Sequence, residues 1–391
     1  MRRTLFLSLL CAATLLSACT APAASSLERD TWLEGARLEA RETPGELYAA
    51  ALQEDPLVIY SVTSRLFEVK DSFERAYPGL TVEMRDIRSS DLLDLLRVEE
   101  AAGGLNCDLV VCSDGDGALT AEMISKGLLH KYVPWDIADK LSLQNSPDQL
   151  IFLHEIHQVF YNSAPESSSA LTNWWELTEP RYYGRVYIAT PLRSATTAGT
   201  FITIVQQGEL LAQAYEERYG RPLAVPEGSS PGLVFFEKLF ANGLVICNSS
   251  DEVIQAVGRP GQTQPAAGIA ISSKVRLRTL GYEIIPAFGL SPYDGVHMPC
   301  SIMVAHGSES VSSAKLFIRW LLGEADGSGE GLVPYLTEGA WSCRGDVSSA
   351  DPRALEELSL LPFDMDYLQA NRESFLARWV AWQAEAGNAA K

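Results

Sequence analysis

Several familiar signals of chemistry are missing from this chain. It holds no G-x-S-x-G, no G-x-x-x-x-G-K-[ST] and no C-x-x-C, which removes the standard marks of a hydrolase, a phosphate-loop NTPase and a dithiol redox protein. An enzyme built from scattered residues would leave no such mark. Cations are scarce: 31 Lys and Arg against 50 Asp and Glu give a formal charge of −19, which argues against nucleic acid, whose affinity comes mainly from cation–phosphate contacts. Long apolar runs are also few. The longest lies between Leu5 and Leu16, short of the ~20 residues a membrane span needs.

That run is part of a leader. Arg2 and Arg3, the apolar stretch and Ser17-Ala18-Cys19 have the order of a secretory signal, and Leu16-Ser17-Ala18-Cys19 resembles the bacterial lipobox, whose Cys carries the lipid. Residues 1–18 are expected to be the signal peptide. Residues 19–44 are expected to hold the lipid anchor at Cys19, a small polar linker at 20–26 and a helical lead-in. The expected location is the periplasm or the cell surface, tethered to membrane. Of seven cysteines, five lie beyond Cys19; the number is odd, and Cys107 and Cys112 sit in an apolar strand pattern that suits small buried thiols.

At 391 residues, 47% of them hydrophobic, the chain has room for about two domains of ~100–200 residues. Leu57–Tyr60 reads as a buried strand that stops in Ser61, Thr63, Ser64 and Arg65, and a helical pattern follows over 65–77. Strand 80–84, helix 91–102 capped by Ser89 or Ser90, strand 107–112 and helix 119–126 continue the alternation, which predicts a parallel sheet covered by helices. From Ile151 an extended run leaves this lobe. A second α/β region then shows strand 186–189, helix 196–215, helices 232–241 and 251–257, and strand 268–272. An extended segment at 282–288 is expected to carry the chain back. Helix 312–322 and a closing helix 366–384 complete the pattern. The fold class is thus α/β, with lobe one from 45–153 plus 286–328, lobe two from 154–285 plus 329–391, and two hinge crossings between them, an architecture that clamps ligands.

Hydroxyls and glycines gather where strands should turn into helices: Ser61, Thr63 and Ser64; Ser89 and Ser90; Ser113, Asp114 and Asp116 in SDGDG; Ser194, Thr196 and Thr197; Ser272 and Ser273. Free N–H groups at helix starts favour anions or polar ligand oxygens, and open α/β sheets bind ligands at the carboxyl ends of their strands. Arg65, Arg193, Lys274 and Arg276 stand beside these turns, suited to carboxylate or phosphate. A calcium loop starting at Asp114 needs further oxygen ligands at its fifth position and, as a bidentate carboxylate, at its twelfth, where Ala118 and Ser125 stand, so SDGDG is read as a tight turn. His154 and His157 are three apart in a strand pattern, which does not match the helical zinc motif. No metal site and no cofactor are expected.

The stretches LVIYSVTSR, AYPGLTVEMRD, CDLVVCSDGDGALTAEMISKGLLHKYVP, VFYNS, NWWELTEPRYYGRVYIATP, GIAIS and SSAKLFIRWLLG resemble the periplasmic solute-binding proteins of ABC importers. The branch is that of the ferric-ion-binding proteins and their relatives for phosphorylated sugars, phosphonates, polyamines and thiamine, and the likeness covers residues 45–385. It implies a two-lobed Venus-flytrap fold of type II, a monomer without enzymatic activity, and delivery of a small solute to an inner-membrane permease with its ATPase. Ferric-binding members carry adjacent tyrosines after the strand resembling GIAIS. Here Ser272-Ser273-Lys274-Val275-Arg276 follows, and two cations repel Fe³⁺ and suit an anion. The expected ligand is an anionic organic solute such as a sugar phosphate or phosphonate. Ferric iron is the alternative, with Tyr161, Tyr182, Tyr183 and Tyr293 as other sources of phenolate; a sensor lipoprotein or a hydrolase stands further off.

Overall fold

The computed structural model describes residues 26–142, 146–163 and 170–389. The expected leader and Cys19 lie outside these. Helices α1 (Ser26–Ala36) and α2 (Pro44–Ala51) form the lead-in, and α2 starts in a reciprocal cap between Thr43 and Glu46. Strand β1 (Leu57–Ser61), α3 (Leu66–Ala76), β2 (Val82–Asp86), α4 (Ser89–Ala102), β3 (Leu109–Cys112) and β4 (Leu129–His130) build the first lobe. The long strand β5 (Leu150–Asn162) leads to β6 (Val186–Ala189), α5 (Ala195–Gln206), α6 (Gly208–Tyr219) and α7 (Pro231–Ala241). Then come β7 (Val245–Cys247), α8 (Ser250–Val257), β8 (Ala267–Ile271), β9 (Ile284–Pro286) and β10 (Gly295–Ala305). Helix α9 (Val311–Leu321), the short strands β11 (Trp341–Ser342) and β12 (Leu360–Leu361), and α10 (Met365–Ala389) end the chain.

One sheet runs through both lobes in the order β2-β1-β3-β10-β5-β8-β6-β7. Within lobes the pairs β1–β2, β1–β3, β6–β8 and β6–β7 are parallel; β10 and β5 lie antiparallel at the middle. Apolar β5 is buried throughout because it passes from one core to the other: Phe152 and Leu153 pack with Leu57, Phe73 and Phe317, while Val159 and Tyr161 pack with Trp174, Phe235 and Trp379. Each half of the sheet carries apolar clusters on both faces, with Tyr60, Leu92 and Val110 on the second face of lobe one and Phe160, Val253 and Ala270 on that of lobe two. Helices on both faces are what a parallel sheet needs to bury its two apolar sides.

Four local expectations are corrected. The return crossing is β10 rather than 282–288, where β9 stays paired with Phe160–Asn162 in the second lobe. Tyr293 and Val296 pack in the second core, and Tyr335, Ala340 and Cys343 in the first, because the chain crosses at β10 and again beyond β11. The helix expected over 196–215 is two, broken at Gln207, which lets Gly208 lie against the backbone of Gly232 where a side chain would not fit. Ser89 and Ser90 sit inside the first turn of α4, since Arg88 takes the extended cap position, and residues 120–124 wind as a single π turn. Among the described residues no helix is long and apolar enough to cross a membrane.

Candidate functional site

The carboxyl ends of β1, β3 and β8, with the loop after β6, open between the lobes. They enclose a chamber of about 200 Å³ lined by Thr63, Ser64 and Arg65 from the first turn, Ser89 and Ser113 from the next two, Ser194 and Thr196 from the start of α5, and Ser273, Lys274 and Arg276 after β8. Helix starts thus converge on one space with three cations, and both features favour an anion. The walls are completed by Val62, Ile271, Met298, Cys300 and Glu155.

Arg65 is the hub. Its Nη2 donates to Glu155 Oε1 at 2.6 Å and to Ser273 Oγ at 3.3 Å, and its guanidinium carbon stands 4.9 Å from the centre of the Tyr335 ring. Its Nη1 is buried and, among the described residues, has no hydrogen-bond partner. Lys274 Nζ donates to Asp251 at 2.5 Å, and Arg276 Nη1 donates to the Ser273 carbonyl at 3.0 Å. Burial lowers the pKa of Lys274 and, with the neighbouring charge of Arg65, that of Arg276. The desolvated cations are therefore less comfortable than in water, and an arriving anion relieves them.

The remaining expected site residues lie elsewhere. Ser61 Oγ is turned onto its own loop, donating to the Thr63 carbonyl and accepting from the Thr63 amide. Thr197 is buried and bonded to Ser194 Oγ, one helical step away from the chamber that Thr196 faces. Arg193 is exposed and reaches Asn248. Ser90, Asp114 and Asp116 line an adjoining outer chamber of about 380 Å³ that shares Ser89 and Ser113 with the inner one. There Asp114, its pKa raised chiefly by burial, accepts from the amides of Leu119 and Thr120, Asp116 pairs with Arg372 of α10 at 2.7 Å, and Ser90 donates to Asp91. These groups already have partners.

Glu155 is the member that sequence reasoning missed. No motif marks it, yet it is the sole acid in the thirteen-residue strand β5, and that isolation is the available signal. The flanking histidines serve structure: His154 Nδ1 meets His297 Nε2 at 2.9 Å, and His157 Nδ1 meets Thr200 Oγ1 at 2.6 Å. Ser272, directly after β8, donates to the Gly339 carbonyl and accepts from the Ile156 amide. Among the described residues no tyrosine lines either chamber; Tyr182 and Tyr293 are buried, Tyr161 lies at the second lobe's end of β5, and Tyr183 is on the surface.

No protein-family model and no curated protein matches the sequence. Among solved structures the chain is similar to the substrate-binding protein of an ABC transporter from Agrobacterium tumefaciens, with 14% identity and a TM-score of 0.63 over 84% of this chain and 94% of that one. It is similar to the periplasmic binding protein AfuA from Actinobacillus pleuropneumoniae with fructose-6-phosphate bound, at 17% identity and a TM-score of 0.61 over 83% and 98%. It is also similar to the apo ferric ion-binding protein A of Pasteurella haemolytica, at 16% identity and a TM-score of 0.60 over 84% and 98%. The fold is that of the periplasmic solute-binding proteins: two α/β lobes with a cleft between them.

Proposed function

We propose that this chain is the substrate-binding component of an ABC importer, closing its lobes over a small anionic organic solute of the sugar phosphate or phosphonate kind. The observation that carries this reading is the inner chamber, where Arg65, Lys274 and Arg276 meet and, among the described residues, no tyrosine is part of the lining. AfuA, with its bound sugar phosphate, and the Agrobacterium transporter protein support it as similar folds. In this reading the two halves of the sheet are the moving bodies, β5 and β10 are the hinge, and the protein is a monomer. It is held outside the inner membrane by lipid on Cys19 and hands its solute to a permease driven by a cytoplasmic ATPase, without turning it over.

Native mass spectrometry of the protein as isolated tests the ligand directly. A bound anion of one copy per chain supports the proposal. Red protein on adding ferric citrate, with one iron per chain, would replace it with the iron reading. Release of phosphate from offered esters would make the chain an enzyme. Loss of membrane association in Cys19→Ala checks the anchor.

A further inference from the structure

Glu155 is an unexpected residue to find in an anion site. The groups that face it are Arg65 from the first turn, Lys274 and Arg276 after β8, and Asp251, which reaches Lys274 from α8. Glu68 of α3 also acts on Arg276, from an exposed position where water screens it. Cys300 of β10 and Tyr335 behind Arg65 are uncharged at neutral pH, since burial holds both groups well above it. Three cations therefore stand against two buried or half-buried carboxylates, leaving one positive charge for a ligand to balance.

The hydrogen bonds narrow the ligand further. Glu155 is only 8% exposed and lines the chamber. Its Oε1 accepts from Arg65, and among the described residues no other donor reaches its carboxylate. An ionised carboxylate only accepts, so a bare ligand oxygen beside it is repelled, whereas a hydroxyl is held. The chamber thus presents a carboxylate with spare acceptor capacity among the cations Arg65, Lys274 and Arg276.

We infer that Glu155 selects an oxyanion that still carries an acidic proton, as a singly ionised phosphonyl or phosphoryl group does. The cations of the chamber, Arg65, Lys274 and Arg276, hold the ionised oxygens of that group, and its P–OH donates to Glu155. A sulfonate matches the single charge but brings no proton; a doubly ionised phosphonate matches neither. The inference rests on the anion-binding reading and adds to it the protonation state of the bound group.

Calorimetric titration with ethylphosphonate and ethanesulfonate, which have no hydroxyl elsewhere, tests it below and above the phosphonate's second ionisation, in the native protein and in Glu155→Gln. Native protein at the lower pH is expected to prefer the phosphonate by about tenfold or more, and to lose that preference at the higher pH. Glu155→Gln, whose amide can donate, is expected to bind the two within about threefold. Equal binding of both by native protein, or a preference that Glu155→Gln leaves intact, overturns proton selection while anion binding stands. Binding of neither compound removes the anion-binding reading and this inference with it. Should Glu155→Gln fail to fold by circular dichroism, the pH dependence of the native preference decides the matter.

Discussion

Gly115 and Gly199 meet backbone to backbone across the cleft. The carbonyl of Gly115, in the SDGDG turn of lobe one, lies where a Cβ on Gly199 of α5 would have to be, and a Cβ on Gly115 would collide with Thr196. Beside them Ser89 Oγ accepts from the amide of Ala195 at 3.3 Å, and Asp116 pairs with Arg372. The two lobes touch through small residues, which permits the close approach that encloses the chambers.

Gly199→Ala should hold the lobes apart. Overpacking costs about 1–3 kcal/mol, and if the lobes relieve it by opening, ligand binding weakens by about five- to a hundredfold. Small-angle scattering should show a larger radius of gyration than the native protein. Native affinity and an unchanged radius would mean that the contact plays no part in closure.

Arg65→Ala should weaken anion binding by about 1.5–3 kcal/mol through the lost charged hydrogen bond. It also strands Glu155, so the variant should melt lower than native. Adding Glu155→Gln to it should recover part of the melting temperature without recovering the affinity. Recovery of neither in a double-mutant cycle would show that the 2.6 Å pair contributes no coupling.

Acid should destabilise the protein through its buried histidines. Burial pushes His154 and His157 down to about 3 and His130 to about 4, all below the unfolded value near 6.5. Below about pH 6.5 the unfolded chain binds protons that the folded chain refuses, so stability falls with falling pH until the folded values are reached. The slope is up to about 1.4 kcal/mol per pH unit for each histidine. Denaturant melts across this window should show it, and His157→Gln, which can still bond Thr200, should flatten it.

Thiol reactivity should single out Cys247. The cysteines Cys107, Cys112, Cys247, Cys300 and Cys343 are all free, and Cys247 alone among them is not buried. Burial raises the pKa of each, most weakly opposed by solvent exposure at the four buried positions. A disulfide reagent added to folded protein lacking its leader should label one of these five quickly, and Cys247→Ser should abolish that phase. Rapid labelling of Cys300 would show that the inner chamber opens to bulky reagents.

Much of the site's raw material was legible because it is local. An apolar run followed by Ser, Thr and Arg identifies a strand end, and such ends became the chamber walls at Thr63, Ser64, Arg65, Ser113, Ser273, Lys274 and Arg276. Side-chain direction at single residues was less legible. Thr196 and Thr197 are adjacent on a helix, where one step turns the side chain by about 100°, so only the first faces the chamber. Glu155 was missed for a related reason: a strand buried on all sides gives no alternation from which to tell the cleft side.

By itself, then, the amino-acid order determined the alternation of strands and helices, the polar ends of the strands and the scarcity of cations that makes Arg65, Lys274 and Arg276 stand out. These follow from side-chain periodicity and backbone chemistry over a few neighbouring residues. The tertiary structure alone decided which of those groups share a chamber. Arg65 meets Glu155 and Ser273 across 90 and 208 residues of chain, and no local rule sets such pairings. They depend on the antiparallel register of β5 and β10, which carries one lobe's strand ends to face the other's.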